Sequence, residues 1–336
     1  MTEQADPGKG KNWLGLAIGL LFSLIALVVL ARQVNLEDML RAVRLVNFSL
    51  FPLVLLFFIC TLAARSFAWR ELLQRQISWW KSFLTINEGY LFNNVLPFRL
   101  GEVARAFLLS QTTPVPFWEA FSTVIVERVF DMGLLAALLL CTVPFVIGAE
   151  WAIQFAVITA VLVFGGFIVM FLAARNQDST LRLYERLTST WPKLTAWGRE
   201  KLLSLLTGLH ALREPMRFIR VLFWMVLTWL FNITWYAILL WAFVPQAKLL
   251  WAAFAVGINS MGVSVPSSPG YIGVFEAAQV VALSVFGLDE SLILAYAVFS
   301  HSLYLIITIA IGAFALMRDG QSLEQVYHGI RSAPKQ

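Results

Sequence analysis

Long apolar runs constrain this chain more than any other feature of its sequence. The runs at 13–31, 152–174 and 291–317 approach or exceed the roughly 20 residues that a helix needs to cross the hydrocarbon core of a bilayer. Charged residues make up 13% of the 336 residues, whereas soluble domains carry about 25%. The sequence therefore predicts an all-α, polytopic helical membrane protein and excludes a water-soluble globular fold.

The apolar runs divide the chain into spans, polar interruptions and tails. The polar tails are 1–11 and 318–336, and 12–317 is expected to form one transmembrane domain. A basic stretch with leucines on one side, 175–217, is typical of an amphipathic linker at the membrane surface. Two regions, 82–110 and 250–287, are too polar for lipid-exposed spans and predict broken re-entrant hairpins. About six spans are predicted: 12–31, 48–69, 117–147, 152–174, 218–244 and 291–317.

The distribution of Lys and Arg predicts the orientation. If the N-terminus is cytoplasmic and both hairpins return to the side they entered, 18 basic residues face the cytoplasm. Four face outward: Arg32, Arg41, Arg44 and Lys248. Cytoplasmic loops are enriched in Lys and Arg, so we expect a multi-pass protein of the inner (plasma) membrane with both termini in the cytoplasm. Because these charges lie in loops, the net charge of +5 does not indicate a nucleic-acid partner.

The two halves of the chain, about 48–147 and about 218–317, repeat one order of elements. Each consists of a span, a broken hairpin and a span, and the predicted topology gives the halves opposite orientations. The hairpins share Asn, Pro, Gly and Glu in the same order. Paired interrupted segments of this kind are typical of inverted-repeat transporters with a site near the middle of the membrane.

The first hairpin contains the sequence FNNVLPFRLGEVARAFLL. Pro97 cannot continue a helix, so a fresh helix is expected after it, with its positive end inside the membrane. Glu102 and Arg105 lie three residues apart on one face and are expected to pair. The alternative is an interfacial loop with snorkelling arginines. The candidate site residues are Asn93, Asn94, Pro97, Arg99, Gly101, Glu102 and Arg105.

The second hairpin contains NSMGVSVPSSPGYIGVFEAAQVVAL. Ser268 and Pro269 are typical of the first residues of a helix, and a helix N-terminus binds anions. Glu276 would then lie two turns into the helix, where we expect it to pair with an arginine of the first hairpin. The alternative is a helix contact built on small residues, without a ligand. The candidate site residues are Asn259, Pro266, Ser267, Ser268, Pro269, Gly270, Gly273 and Glu276.

A third group of charges falls near the middle of the span at 117–147, in TVIVERVFDMGLL. Unpaired, each of Glu127, Arg128 and Asp131 would cost about 2.5–3.5 kcal/mol on insertion scales. The spacing allows Arg128 to pair with Asp131. The group is either an ion network that ties helices together or a polar path for a headgroup or protons. Arg65 and His301 are weaker single signals, and His301 is interpreted as a hydrogen-bond partner between helices.

The strings NNVLPFRLGEVARAFLL, ERVFD and VPSSPGYIGVFEAA, followed by a closing span near His301, resemble one family over roughly 12–317. It is the flippase-like membrane domain of lysylphosphatidylglycerol synthases, of the multiple peptide resistance factor type. The resemblance implies movement of an aminoacylated phospholipid between leaflets. Full-length members add a soluble aminoacyl-transferase domain, which we expect to be absent here. Stand-alone members are implied to serve varied lipids, including those of hopanoid and glycolipid pathways.

The sequence thus favours a lipid translocase over two alternatives, a lipid-modifying enzyme or accessory subunit of a lipid pathway and an ion-coupled carrier of a small solute. It contains no His/Cys cluster, no Asp-x-Asp and no nucleotide-binding loop. We therefore expect no catalytic residues, no metal and no cofactor. The expected partners are a membrane lipid as substrate and a separate lipid-modifying enzyme.

Overall fold

The structure, a computed structural model, describes residues 46–96, 100–147, 175–192, 214–264 and 267–332 continuously. Single positions are described between 37 and 44, 154 and 172, and 195 and 206. The predicted span at 12–31 lies outside the described residues, and the one at 152–174 mostly does. The helices are α1 (Phe51–Leu72), α2 (Trp79–Val95), α3 (Gly101–Thr112), α4 (Phe117–Ile147), α5 (Gln177–Thr188), α6 (Pro215–Phe243), α7 (Leu249–Ser264), α8 (Val274–Ser284), α9 (Glu290–Arg318) and α10 (Leu323–Ser332).

Four helices, α1, α4, α6 and α9, are long and apolar enough to cross a membrane. They confirm four of the six predicted spans, and the described residues contain no strand. Each also exposes large apolar side chains, such as Leu56 in α1 and Phe223 in α6, as expected for surfaces that meet lipid. The fold is therefore the predicted all-α, polytopic membrane architecture.

The two predicted hairpins are broken where the sequence places proline and glycine. Ser78 begins α2 by accepting a hydrogen bond from the Lys81 N–H at 3.1 Å. The helix ends at Val95, because the residue before a proline disfavours the helical conformation. At a rise of about 1.5 Å per residue, α2, α3, α7 and α8 are each too short to span a bilayer. The rings of Trp251 and Phe286 stack at 4.9 Å, so the second hairpin starts and finishes at the same end.

The first spans of the two halves, α1 and α6, run in opposite directions against each other. At one end of the pair, the Asn47 N–H donates to the Ala242 carbonyl at 3.0 Å. At the other end, Arg220 Nε donates to Glu71 Oε2 at 3.1 Å. The start of each helix therefore lies beside the finish of the other. Equivalent elements that run oppositely are the geometry of an inverted repeat.

The remaining contacts obey the same relation between the halves. Within the first half α2 packs on α3 and α3 on α4, and within the second half α7 packs on α8 and α8 on α9. Between the halves α2 packs on α9, and its counterpart α7 packs on α4. Each hairpin is therefore held against the last span of the other half. The arrangement of the described helices is that of two interlocked, inverted units.

Two glycines allow the helices of the first hairpin to cross closely. A Cβ added to Gly101 would collide with the Gly89 carbonyl oxygen and with the Asn93 side chain. A Cβ on Gly89 would lie 2.9 Å from the Gly101 carbonyl oxygen. Backbone therefore meets backbone where α2 and α3 cross, an approach that small residues permit.

Several predicted cytoplasmic segments meet at one end of the helix bundle. Gln76, after α1, donates to Glu119 at the start of α4 at 2.7 Å. Lys81 at the start of α2 forms an ion pair with Asp319 after α9. Leu181 of the amphipathic α5 belongs to the apolar cluster beneath this end. The chain segments that the charge count assigned to one side are thus together in space.

Glu71 links the two halves at this basic end. Its carboxylate accepts hydrogen bonds from Arg75 at 2.8 Å and from Arg220 at 3.1 Å. The hydrogen bond to Glu71 raises the pKa of Arg75, which lies in the loop beyond the span. The carboxylate thus joins a loop arginine of the first half to an arginine near the start of α6 in the second half.

Candidate functional site

A cavity of about 290 Å³ lies between the two halves. Residues of α1, α2, α3, α4, α6, α7, α8 and α9 line it, so both hairpins and all four described spans contribute. Asp131 in its wall is at the middle of the candidate span Phe117–Val146, and Trp229 is at the middle of Pro215–Phe243. The cavity is therefore expected near the middle of the membrane.

One wall of the cavity is built around the buried carboxylate of Glu127, whose side chain is 0% exposed. Arg65 Nη1 donates to it at 2.7 Å, Arg105 Nη2 at 2.9 Å and Arg128 Nη2 at 3.0 Å. Three guanidinium groups from three helices thus converge on one carboxylate. A buried carboxylate is tolerated when charge-assisted hydrogen bonds occupy its oxygens.

Asp131 and Trp69 complete the support of these arginines. Arg65 Nη2 donates to Asp131 Oδ1 at 2.7 Å. The Arg105 guanidinium lies 4.4 Å from the centre of the Trp69 ring, within the range of a cation–π contact. Arg65 and Arg105 are 12% and 5% exposed, so their charges are used mainly to hold helices together.

Arg128 and Glu102 form the accessible part of the network. Their side chains are each 27% exposed, and both line the cavity. Their nearest charged atoms are 3.6 Å apart, a longer separation than in the interior pairs. Arg128 also reaches Asp131 Oδ2 at 3.1 Å, as the spacing predicted. This pair is therefore the part of the network that a ligand can compete for.

The rest of the lining is rich in aromatic rings, and we call this part the aromatic wall. Trp229 Nε1 in this wall donates to Asp131 Oδ1 at 3.1 Å and so reaches the charged wall. A cavity with one charged wall and one aromatic wall suits an amphipathic ligand with a polar group. The aromatic lining residues are Phe58, Tyr90, Trp229, Trp235, Tyr236, Tyr271, Phe275 and Tyr304.

The break of the second hairpin carries an unusual backbone. Ser268 precedes a 3₁₀ turn, Pro269–Tyr271, and the longer helix α8 starts only at Val274. Gly270 has a φ of 65° and Tyr271 a φ of 60°, which is uncommon for a residue with a side chain. The prediction that Ser268 and Pro269 start the long helix was therefore wrong, although they do start a helical turn. Consequently Glu276 lies in the first turn of α8 rather than two turns in.

Among the described residues, Glu276 has a different partner from the predicted arginine. Its Oε1 lies 2.6 Å from His301 Nδ1 on α9, and its Oε2 accepts from the Gly273 N–H at 2.7 Å. No arginine of the first hairpin pairs with it among the contacts of the described residues. In the same way, Arg105 pairs with Glu127 rather than with Glu102. Both differences arose because sequence spacing shows which residues share a helix face and not which helix faces them.

Both helix starts inside the membrane are occupied by side chains of the protein itself. The Gly101 N–H donates to Asn93 Oδ1 at 2.8 Å, and the Gly273 N–H donates to Glu276. The expectation that these N-terminal N–H groups are available to an anionic ligand therefore does not hold at these two positions. Side chains such as Arg128 are the accessible donors.

The other predicted site residues divide between the cavity and the contacts of the two halves. Asn93, Gly101 and Asn259 line the cavity. Asn94 Nδ2 donates to Thr308 Oγ1 at 3.0 Å and so joins α2 to α9. Ser267 is buried, and the Ser268 hydroxyl donates to the Ile272 carbonyl at 3.0 Å. Pro97, Arg99 and Pro266 lie outside the described residues.

Sequence reasoning underrated or missed several residues. Arg65 and His301 were treated as weak signals, and Gly89 and the aromatic wall were not singled out. A signal existed for Arg65 and His301, because a charge or an imidazole inside an apolar span must have a partner. Because Arg65 lines the cavity, it no longer counts as a basic residue of a cytoplasmic loop. The count becomes 17 basic residues on the cytoplasmic side and four outside, so the predicted orientation is unchanged.

Comparison with known proteins identified a matching family and related membrane proteins. Residues 12–312 match the family described as the lysylphosphatidylglycerol synthase TM region. A UPF0104 membrane protein of Methanocaldococcus jannaschii is 20% identical over 249 residues, 70% of this chain and 73% of that protein. A UPF0104 membrane protein of Methanothermobacter thermautotrophicus is 25% identical over 182 residues, 52% of each chain. No solved structure matches the chain at a significant level.

Proposed function

We propose that this chain, which belongs to the lysylphosphatidylglycerol synthase transmembrane family, moves a phosphate-bearing lipid between the leaflets of the membrane. The observation that carries the proposal is the cavity between two inverted halves, charged on one wall and aromatic on the other. A charged headgroup needs polar or charged partners on its way across the hydrocarbon core, because an unpaired charge there is costly. Acyl chains can remain in the bilayer beside the apolar outer faces of the helices.

Arg128 is the residue proposed to bind the lipid phosphate. It is accessible, and it is held by Glu127 and Asp131 in a fixed orientation. A phosphate would replace the long contact to Glu102 with charge-assisted hydrogen bonds to the guanidinium. Glu102, which lines the same wall, is proposed to bind a cationic group of the same headgroup. The ligand is therefore proposed to be zwitterionic, aminoacylated or glycosylated, with a phosphate, rather than a neutral lipid.

The inverted halves supply the proposed route of movement. Inverted-repeat transporters expose a central site alternately to the two sides when one repeat rocks against the other. Here each hairpin packs on the last span of the other half, so such a motion would move the charged and aromatic walls relative to each other. No covalent step is part of this proposal, in which the chain acts as a transporter and not as an enzyme. A separate lipid-modifying enzyme is proposed to make or consume the lipid.

The proposed orientation places the basic end of the bundle in the cytoplasm and both termini with it. In a variant with Cys60→Ala and Cys141→Ala, single cysteines are introduced at Thr190, Gln325 and Gln246. An impermeant thiol reagent added outside intact cells should label Gln246→Cys and spare Thr190→Cys and Gln325→Cys, because cytoplasmic loops carry the basic excess. Labelling of Thr190→Cys from outside would reverse the orientation.

Transport itself is tested in proteoliposomes with a fluorescent phospholipid and an impermeant quencher. Arg128→Ala should slow exchange between leaflets at least about tenfold, since a hydrogen bond to a charged group contributes about 1.5–3 kcal/mol. Arg199→Ala is the matched control, because Arg199 forms a half-exposed pair with Glu185 in the linker. Equal exchange rates for wild type, Arg128→Ala and Arg199→Ala would remove Arg128 from the site.

Ligand class is tested by thermal stability of the purified protein. A ligand that binds the folded state raises the melting temperature. A phosphatidyl lipid should raise the Tm of wild type, and Arg128→Ala should reduce the rise. Diacylglycerol or a hopanoid should not raise it. Stabilisation by the neutral lipids alone would contradict a phosphate-bearing substrate.

A further inference from the structure

A buried carboxyl–imidazole pair lies directly behind the aromatic wall of the cavity. The side chains of Glu276 and His301 are 8% and 3% exposed, with Glu276 Oε1 and His301 Nδ1 2.6 Å apart. The His301 ring stacks on Phe275 at 4.2 Å, and Tyr304 is 6.5 Å away. Phe275 and Tyr304 both line the cavity. One layer of aromatic rings therefore separates the pair from the proposed lipid site.

The second ring nitrogen of His301 is available for a proton. His301 Nε2 is buried, and no described residue forms a hydrogen bond with it. When Nδ1–H donates to the Glu276 carboxylate, the neutral imidazole keeps a lone pair at Nε2. A proton added there gives an imidazolium, whose charge the adjacent carboxylate balances. The pair can therefore take up and release one proton without leaving an isolated charge in a low-dielectric interior.

The same carboxylate controls the backbone of the hairpin break. Glu276 Oε2 accepts the hydrogen bond of the Gly273 N–H at 2.7 Å. Gly273 has a φ of 88°, and two residues earlier Tyr271, with its φ of 60°, enters the cavity wall. A change in how Glu276 binds His301 would thus affect two residues of the cavity wall. It would affect Tyr271 through the hydrogen bond to Gly273, and Phe275 through its stacking on the imidazole. Sparsely populated backbone conformations of this kind cluster at ligand clamps and switch regions.

Among the described residues, phenol groups of neighbouring helices lie around the pair. Tyr236 of α6 interacts electrostatically with Glu276, and Tyr304 of α9 faces the imidazole. Tyr90 of α2 reaches Tyr304 at 6.2 Å. Of the pair and these phenols, the imidazole is the group with a buried atom that no described residue hydrogen-bonds, so the added proton is placed at His301 Nε2.

We infer that Glu276 and His301 form a proton-binding site that couples proton movement to the opening of the lipid cavity. The inference rests on the proposed function, because it names the ion that would drive lipid movement. One proton binds at His301 while the cavity has one conformation and leaves when the hairpin break changes conformation. A difference in pH across the membrane then biases the direction of lipid exchange, by the logic of linked equilibria.

The first experiment measures phospholipid exchange in proteoliposomes at about pH 5.5 and about pH 8, which brackets the charge change of an imidazole. In wild type the two rates should differ several-fold, and in His301→Gln their ratio should approach one. His328→Gln, in the C-terminal α10, is the control for a histidine outside the spans and should keep the wild-type ratio. An unchanged ratio in His301→Gln, or a pH-independent wild type, overturns the proposal.

A second measurement does not depend on transport. Hydrogen exchange of peptides covering 268–284 is followed in detergent at the same two pH values, after correction for the chemical exchange rate. Protection of the α8 N-terminus should differ between the two pH values in wild type and not in Glu276→Gln, which keeps an acceptor for Gly273 but loses the carboxylate. If wild type shows no lipid exchange but its protection still depends on pH, the proposed function is refuted and the proton site stands. Protection that is independent of pH in wild type would refute the proton site, whatever the lipid assay shows.

Discussion

The two hairpins share a backbone plan and differ in the chemistry that the plan presents. In both, a proline precedes a glycine by four residues, Pro97 and Gly101 in the first and Pro269 and Gly273 in the second. In both, the N–H of that glycine is capped by a side chain inside the bundle. The second helix of each then packs on the last span of its own half. The shared features are those that build a break inside a membrane.

The last spans show the difference most directly. Arg128 is the twelfth residue of α4, and His301 is the twelfth residue of α9. Each faces a carboxylate at the start of the neighbouring hairpin helix, Glu102 or Glu276. The first pair is partly exposed to the cavity, and the second is buried behind aromatic rings. One scaffold thus presents a partly exposed guanidinium–carboxylate pair in one half and a buried imidazole–carboxylate pair in the other.

Exposure explains why different residue types serve at these equivalent positions. A guanidinium stays charged at any physiological pH and suits a site where a ligand anion arrives. An imidazole can become neutral, so it tolerates burial without a permanent charge. The halves therefore are not redundant copies, and substitutions at equivalent positions are expected to have unequal effects.

The largest expected effect is at the residue that precedes each of these two positions, Glu127 before Arg128 and Ser300 before His301. Glu127→Gln removes the carboxylate on which three arginines converge and should lower the free energy of unfolding by about 3–5 kcal/mol, because buried charges lose their partner. At the equivalent position Ser300→Ala removes a hydrogen bond to Ala297 within one helix and should cost at most about 1 kcal/mol. Unfolding in detergent with increasing denaturant compares the two. Equal losses would mean that the charged centre is not specific to the first half.

A smaller difference in stability is expected between substitutions at the two equivalent glycines, Gly101 and Gly273. Gly101→Ala places a methyl group against the Gly89 backbone and Asn93, and should cost about 1–3 kcal/mol through overpacking. Gly273→Ala forces an alanine into a positive φ, at about 1–2 kcal/mol. Gly166→Ala, which meets open space, is the control and should not destabilise. Thermal unfolding of the three variants provides the ranking, and a harmless Gly101→Ala would contradict the close helix crossing.

The smallest effect is expected at the hydrogen bond that joins the halves. Thr308→Val removes the acceptor of Asn94 and should lower stability by about 0.5–1.5 kcal/mol, the contribution of one hydrogen bond. Thr234→Val is the matched control, because the Thr234 hydroxyl is bonded within its own helix on an exposed face. Double-mutant cycles with Asn94→Ala isolate the coupling between the two side chains. A coupling energy of zero would show that this contact does not hold α2 to α9.

Much of the architecture was predictable from the sequence because the bilayer restricts what a chain can do. Apolar length identified the four spans that the structure describes, and the polar runs around Pro97 and Pro269 identified the breaks. Most candidate residues in the first hairpin and in α4 lie in or directly behind the cavity wall. Those predictions rest on local properties, hydropathy and backbone chemistry, which each segment carries by itself.

By itself the sequence thus determined the class of protein, the order of spans and breaks, and the set of polar residues that need partners. Only the tertiary structure decided which partner each one has. Arg65 binds Glu127 and Asp131, which lie more than 60 residues away in the sequence. Glu276 of α8 binds His301 of α9. In a low-dielectric interior a buried charge must be paired, but any nearby opposite charge satisfies that requirement. The choice among them depends on how the helices pack, which no local pattern contains.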